Sequence, residues 1–184
     1  MDFFELVMKR KSVRSFSEKN ISDNDLQKCV EAARMAPSAC NSQPWKFILI
    51  KDKKKKEELV QAAVTGLYTN KIGPNKLLFE APVIVALVVE KMKLTARSGA
   101  LIKWTDYSLI DVGIAGEHFI LQATELGIGT CWVGWFNEKK VKKVLHTPKH
   151  LRVPCLIAMG YPKVESEREK KRKDLDQILS FDMY

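Results

Sequence analysis

An α+β domain is what the sequence predicts, and three observations carry it. About five amphipathic helical stretches and three clear strand patterns are interspersed along the chain. Apolar residues make up 46% and charged residues 29% of 184 positions, the balance of a globular chain with a sizeable core. A polar loop pinned by Pro37 and Pro44 separates a helical pattern from a strand pattern. Too few strands are visible to fix a sheet order.

Phe3, Phe4, Leu6, Val7 and Met8 cluster in the first turns and predict a short helix ending near Lys9. Arg10, Ser12 and Arg14 then alternate in an extended segment, so all three can point one way. Two guanidiniums and a hydroxyl on one face suit a phosphate, because Arg presents a planar fork of donors. The same residues also read as a solvated basic turn. Ser22, with Asp23 and Asp25 behind it, predicts an N-cap, and Leu26, Cys29, Val30 and Ala33 carry the helix to about Ala36. Pro37 disfavours the helical region for Ala36 and should stop it.

Ser38, Asn41, Ser42 and Gln43 follow, and Pro44 fixes the exit into 45–50, a half-buried strand. This loop reads equally as a solvated connector and as a surface offering donors and acceptors to something flat and polar. Residues 53–63 predict an amphipathic helix with Leu59, Val60 and Ala63 inward and its lysines wet. Residues 66–76, with Gly66, Gly73 and Pro74, read as a loop or broken helix. The continuous apolar run 83–89 predicts a strand covered on both faces. Residues 91–105 show no period and read as a mobile rim.

The longest helical pattern is 107–126, with Gly127 as its stop. Gly113 and Gly116 cost that helix roughly 1 kcal/mol each relative to alanine. Close packing of another helix, at a dimer interface, would account for them. His118 reads as a packing or capping residue. In 127–137, Gly-x-Gly occurs without the full dinucleotide fingerprint, so a Rossmann site is not supported. Gly134 between bulky residues predicts a close backbone approach. Asn137 predicts the cap of a helix ending near Leu145, and 153–161 a further strand. The tail, 162–184, turns basic over 168–173 and then apolar.

Lys and Arg number 31 against 22 Asp and Glu, a net charge of +9 that favours anionic ligands or nucleic acid. Outside 51–56 and 168–173 the basic residues are scattered, which argues against a dedicated nucleic-acid face. Cys29, Cys40, Cys131 and Cys155 show no C-x-x-C spacing and read as free thiols of a reducing cytoplasm. Asp2 and Glu5 precede any apolar run, so no signal peptide is expected, and no apolar run is long enough for a membrane span. There is no metal-ligand cluster, and with three histidines most histidine-based acid–base schemes look poor.

The run from Pro37-Ser38 through Asn41-Ser42-Gln43-Pro44-Trp45 resembles the Pro-Ser…Asn-x-Gln-Pro-Trp loop of the FMN-dependent nitroreductase family. Arg10-Lys11-Ser12-Val13-Arg14-Ser15-Phe16 resembles that family's Arg-x-Ser-x-Arg-x-Phe signature. The two in this order, with a helix between, are far more specific than either alone, and the resemblance runs to the tail. It implies a single α+β domain over 1–184 in a three-layer arrangement: an antiparallel-dominated mixed sheet flanked by helices. It also implies an intertwined homodimer, with the tail extended over the partner subunit.

The cofactor implied is FMN. NADH or NADPH would supply hydride to flavin N5, and a small electron acceptor, such as a nitroaromatic or quinone, would take it on. No side-chain nucleophile is called for. The resemblance places Arg10, Lys11 and Ser12 at the flavin phosphate, joined by Lys170 and Arg172 from a Lys-x-Arg pair in the tail. Arg14 is then the candidate cation for negative charge near N1 and O2. Pro37, Ser38, Ala39 and Asn41 would serve the partner's flavin ring. Val133 and Gly134 would run along the ring, with the Gly134 N–H facing N5. Cys40 stands in the loop either as a redox-active thiol or as a small packing residue. Other uses of a flavin remain open, such as dehalogenation or a non-catalytic carrier, and so does a basic nucleic-acid-binding role for 51–56 and the tail.

Overall fold

The computed structural model describes residues 1–64, 74–91, 105–164 and 170–184, the side chains of 74 and 75 excepted. Most of the loop expected over 66–76, the rim expected over 91–105 and the start of the basic run at 168–173 lie outside these residues. Among the described residues, four strands form one sheet. They are β1 (Trp45–Ile50), β2 (Val83–Val89), β3 (Gly129–Val133) and β4 (Arg152–Gly160), in the order β1-β2-β4-β3. All three ladders are antiparallel. The one parallel pairing among the described residues is the isolated bridge of Ser12 with Thr130, at the outer edge of β3.

The continuous apolar run of β2 is explained by its neighbours. Val83, Val85, Leu87 and Val89 face one layer of core, with residues of α2 (Asp23–Arg34) and α5 (Tyr107–Glu125). Ile84, Ala86 and Val88 face the other, with residues of α3 (Lys53–Ala63), α4 (Pro74–Glu80) and α6 (Glu138–Val144). Side chains alternate along a strand, so a strand with helices on both sides must be apolar at every position. The result is helix, sheet, helix.

Local chemistry sets the boundaries. α1 (Phe3–Lys9) opens with a capping box between Asp2 and Glu5. Ser22 caps α2, and Asn137 caps α6, by accepting backbone N–H groups of Asp25 and Lys140. α5 ends in a Schellman motif: Gly127, at φ 72°, donates to Thr124 O, and Ile128 donates to Ala123 O. His118 Nδ1 donates to Ala32 O at 3.2 Å and so ties α5 to the last turn of α2. α1 buries no residue against its own chain; Phe3 and Phe4 are 71% and 72% exposed.

Two stretches gain an assignment, and one expectation changes. Residues 74–76 belong to a helix, α4, whose first residue is Pro74, a position that suits proline's fixed φ and missing N–H. Residues 129–133 form a strand. Gly116 does meet a close neighbour, but a side chain: a Cβ there would lie 2.2 Å from the Trp132 ring. At Gly113 a Cβ would meet nothing within 4 Å in this chain.

Candidate functional site

Residues 10–16 leave α1 in an extended path and lie along β3. The Val13 N–H donates to Thr130 O at 2.9 Å, and the Val13 side chain rests on Gly129, whose missing Cβ makes the room. Further on, Phe16 bridges to Pro162, and Ser17 donates to Tyr161 O at 2.8 Å. Arg10, Ser12 and Arg14 all line one cleft of about 1380 Å³, together with the intervening Lys11 and Val13, so the lining itself does not distinguish alternate residues. The tail brings Lys170, Lys171 and Arg172 to the same cleft. Among the described residues, no carboxylate lines it.

The field inside is read by Lys170. Its Nζ donates to Val7 O at 2.8 Å. Partial burial pushes its pKa below the ordinary lysine value, and the positive charges of Arg10, Arg172 and Lys11 push it the same way, with Glu117 opposing. Cations from both ends of the chain therefore stand close enough to repel, an arrangement that an anion relieves.

Arg14, Ser15 and Ser17 also line a second cleft of about 1290 Å³. Val133 and Gly134 form part of its wall, beside Cys131, Trp132 and Trp135, with Phe79 and Lys76 opposite on α4. A Cβ at Gly134 would meet nothing within 4 Å in this chain, so the close approach expected there is not made to this chain's own atoms. Burial raises the Cys131 thiol, and Arg14 and Ser12 partly offset this.

The loop 37–41 does not line either cleft within one chain. It forms a single 3-10 turn at Ala39–Asn41, with Cys40, Asn41 and Gln43 in the left-handed region at φ 51°, 50° and 49°. Such backbone costs of order 1–3 kcal/mol per residue and persists where surroundings over-determine it. Ser38 Oγ accepts the Gln43 N–H at 2.9 Å, and Asn41 Oδ1 accepts from Gln43 Nε2 at 2.8 Å. Those bonds use acceptor capacity and leave the Ser38 hydroxyl proton and the Asn41 amide protons as donors. Cys40 is exposed within one chain.

Sequence reasoning missed Asp111. It is 4% exposed on α5, and both its oxygens accept the Ala39 N–H, at 3.1 and 3.2 Å. Burial raises its pKa, and the Ala39 hydrogen bond opposes that rise. The available signal was a lone carboxylate within an apolar helical stripe. Lys171 and the aromatic wall of Trp132 and Trp135 were also passed over.

The nitroreductase family profile matches residues 7–161. Among solved structures, a nitroreductase family protein from Clostridium novyi is 32% identical, with a TM-score of 0.74 over 89% of this chain and 86% of its own. An FMN-dependent nitroreductase from Clostridium difficile is 25% identical, with a TM-score of 0.79 over 99% and 100%. Among curated relatives, an oxygen-insensitive NADPH nitroreductase of Helicobacter pylori is 26% identical over 95% of this chain and 94% of its own. An iodotyrosine deiodinase of Thermotoga neapolitana is 27% identical over 86% and 88%. The cationic groove, the antiparallel sheet between helices and this match over most of the chain agree, and the protein belongs to the nitroreductase family of oxidoreductases.

Proposed function

We propose that this protein is an FMN-dependent oxidoreductase. It draws reducing equivalents from NADH or NADPH and passes them to a small acceptor such as a nitroaromatic or quinone. The observation that carries the reading is the convergence of Arg10 and Lys11 with Lys170 and Arg172 on one cleft, with Arg14 lining both that cleft and the one walled by Gly134. That donor set fits a phosphomonoester at one end and a flat ring at the other. Bound flavin supplies hydride transfer through N5. The chain's own residues hold and tune it. Arg10, Lys11, Lys170, Arg172 and Ser12 bind the phosphate, and Arg14 stabilises negative charge at the pyrimidine edge.

Pro37, Ser38, Ala39 and Asn41 meet the ring of the flavin bound mainly by a second copy. Exposed Phe3 and Phe4 on α1, and Phe181 and Met183 in the tail at 82% and 80% exposure, support that pairing of copies. No side chain supplies a nucleophile. Among the described residues, no histidine lines either cleft, and burial raises the Cys131 thiol.

The test is an absorbance scan of purified protein, then anaerobic addition of NADH or NADPH. Flavin bands near one per subunit that bleach on addition support the reading. A colourless protein that fails to take up FMN would falsify it. Turnover with a nitroaromatic, a quinone and a halogenated tyrosine then separates the acceptors, the last because of the deiodinase similarity.

Lys170 adds a pH dependence. Its lowered pKa lets it lose its proton below the ordinary lysine range, and a phosphate dianion favours the protonated form. FMN affinity should therefore fall as pH rises through that lowered value. For the FMN-free protein the sign is opposite. A lysine pKa lower when folded than when unfolded makes the fold gain stability between the two values as pH rises. Fluorescence titrations of FMN across alkaline pH, with Lys170→Met as the flat comparison, check the first; denaturation of FMN-free protein checks the second.

A further inference from the structure

The turn assigned to the flavin ring is held by a charge buried behind it. α5 is apolar around Asp111, with Val112 and Ala115 buried on the same helix. A carboxylate is expensive to bury, and one backbone N–H uses a small part of its acceptor capacity. Helix stability alone would be better served by an apolar residue. What the carboxylate does is grip one peptide. Both oxygens take the Ala39 N–H, and the carbonyl of the same peptide, Ser38 O, accepts the Asn41 N–H at 3.0 Å. The Ser38–Ala39 peptide is thus fixed from both sides. Immediately after it come the left-handed residues Cys40 and Asn41, with Gln43 beyond. The two side chains whose donors remain, Ser38 and Asn41, flank this peptide.

We propose that Asp111 is a positioning residue: by gripping the Ala39 N–H from behind the turn, it sets the donor face that Ser38 and Asn41 present to the flavin ring. This rests on the functional reading above. Asp111 does not touch the cofactor. It acts through the backbone, and its effect therefore falls on the ring and not on the phosphate.

The experiment compares binding of FMN and of riboflavin, which lacks the phosphate, to FMN-free protein, followed by flavin fluorescence and the visible spectrum of the bound flavin. Asp111→Leu keeps the volume and removes the acceptor. Asp111→Asn keeps an acceptor in the same shape. Asp111→Leu is expected to weaken FMN and riboflavin alike, by about 10- to 100-fold, the range for losing a hydrogen bond to a charged group. It should also shift the bound flavin's visible band. Asp111→Asn should hold both affinities within about threefold of wild type, since one oxygen still accepts the Ala39 N–H.

Asn41→Ala and Arg10→Ala separate the outcomes. If Asn41→Ala weakens riboflavin but Asp111→Leu does not, the proposal is overturned while the ring assignment stands. If neither weakens riboflavin while Arg10→Ala still weakens FMN, the loop is not at the ring, and the proposal falls with that assignment. Circular-dichroism melts guard against a folding artefact. Weakened binding with an unchanged melt supports positioning. Weakened binding only in step with a lowered melt, in both Asp111→Leu and Asp111→Asn, makes Asp111 structural and overturns the proposal.

Discussion

Arg10→Ala is expected to weaken FMN binding by about 10- to 100-fold or more and to leave riboflavin binding nearly unchanged. A single exposed charge rarely matters that much, because solvent screens it. Arg10 is different in company: Lys11, Lys170 and Arg172 line the same cleft, and no carboxylate among the described residues competes for them. A dianion there collects several charge-assisted hydrogen bonds at once, and the guanidinium supplies the bidentate one. The loss should shrink at high salt, since screening weakens what the wild type gains. A second readout is internal. Arg10 is the foremost of the charges that lower the Lys170 pKa, after burial itself. Removing Arg10 should therefore move Lys170 back toward the ordinary lysine range and carry the alkaline fall in FMN affinity to higher pH. Equal losses for FMN and riboflavin would take Arg10 away from the phosphate.

That cleft shows what a sequence can and cannot disclose. The extended path of 10–14 is local, and the structure keeps these residues together along one cleft. The meeting of 10–14 with 170–172 spans nearly the whole chain, and no period or propensity encodes it; the resemblance of two motifs to a known family made it visible. The same division runs through the fold. β1, β2 and β4 announce themselves by apolar runs, and α2, α5 and α6 by caps and stops such as Ser22, Asn137 and Gly127. β3 is short and begins on Gly129, and its strand character comes from pairing with β4, a partner its own residues do not specify. Gly116 signalled a close contact but not its chemistry, which is the Trp132 indole. Asp111 needed a bond to a residue 72 positions away before its burial had a purpose.

Gly129→Ala should damage both stability and FMN binding, although the glycine, which lines the cationic cleft, has no side chain to offer a ligand. Its φ lies outside the left-handed region, so the backbone itself would accept alanine. The obstacle is steric. A Cβ at Gly129 would stand 2.6, 2.7 and 2.9 Å from Cγ2, Cβ and Cγ1 of Val13. Val13 is β-branched and stiff, and its N–H is already bonded to Thr130 O at 2.9 Å, so it has little freedom to step aside. Overpacking of this kind costs about 1–3 kcal/mol. The strain is relieved by lifting 10–14 away from β3, which carries Arg10, Ser12 and Arg14 out of register with the tail cations.

Chemical denaturation of the FMN-free variant should show the stability loss, and FMN titration a weakened phosphate grip. Adding Val13→Ala removes two of the three crowded atoms and should recover part of both, as a coupling between the two sites. A Gly129→Ala protein as stable as wild type, with unchanged FMN affinity, would show that the contact between Val13 and Gly129 does not hold the arginine segment in place.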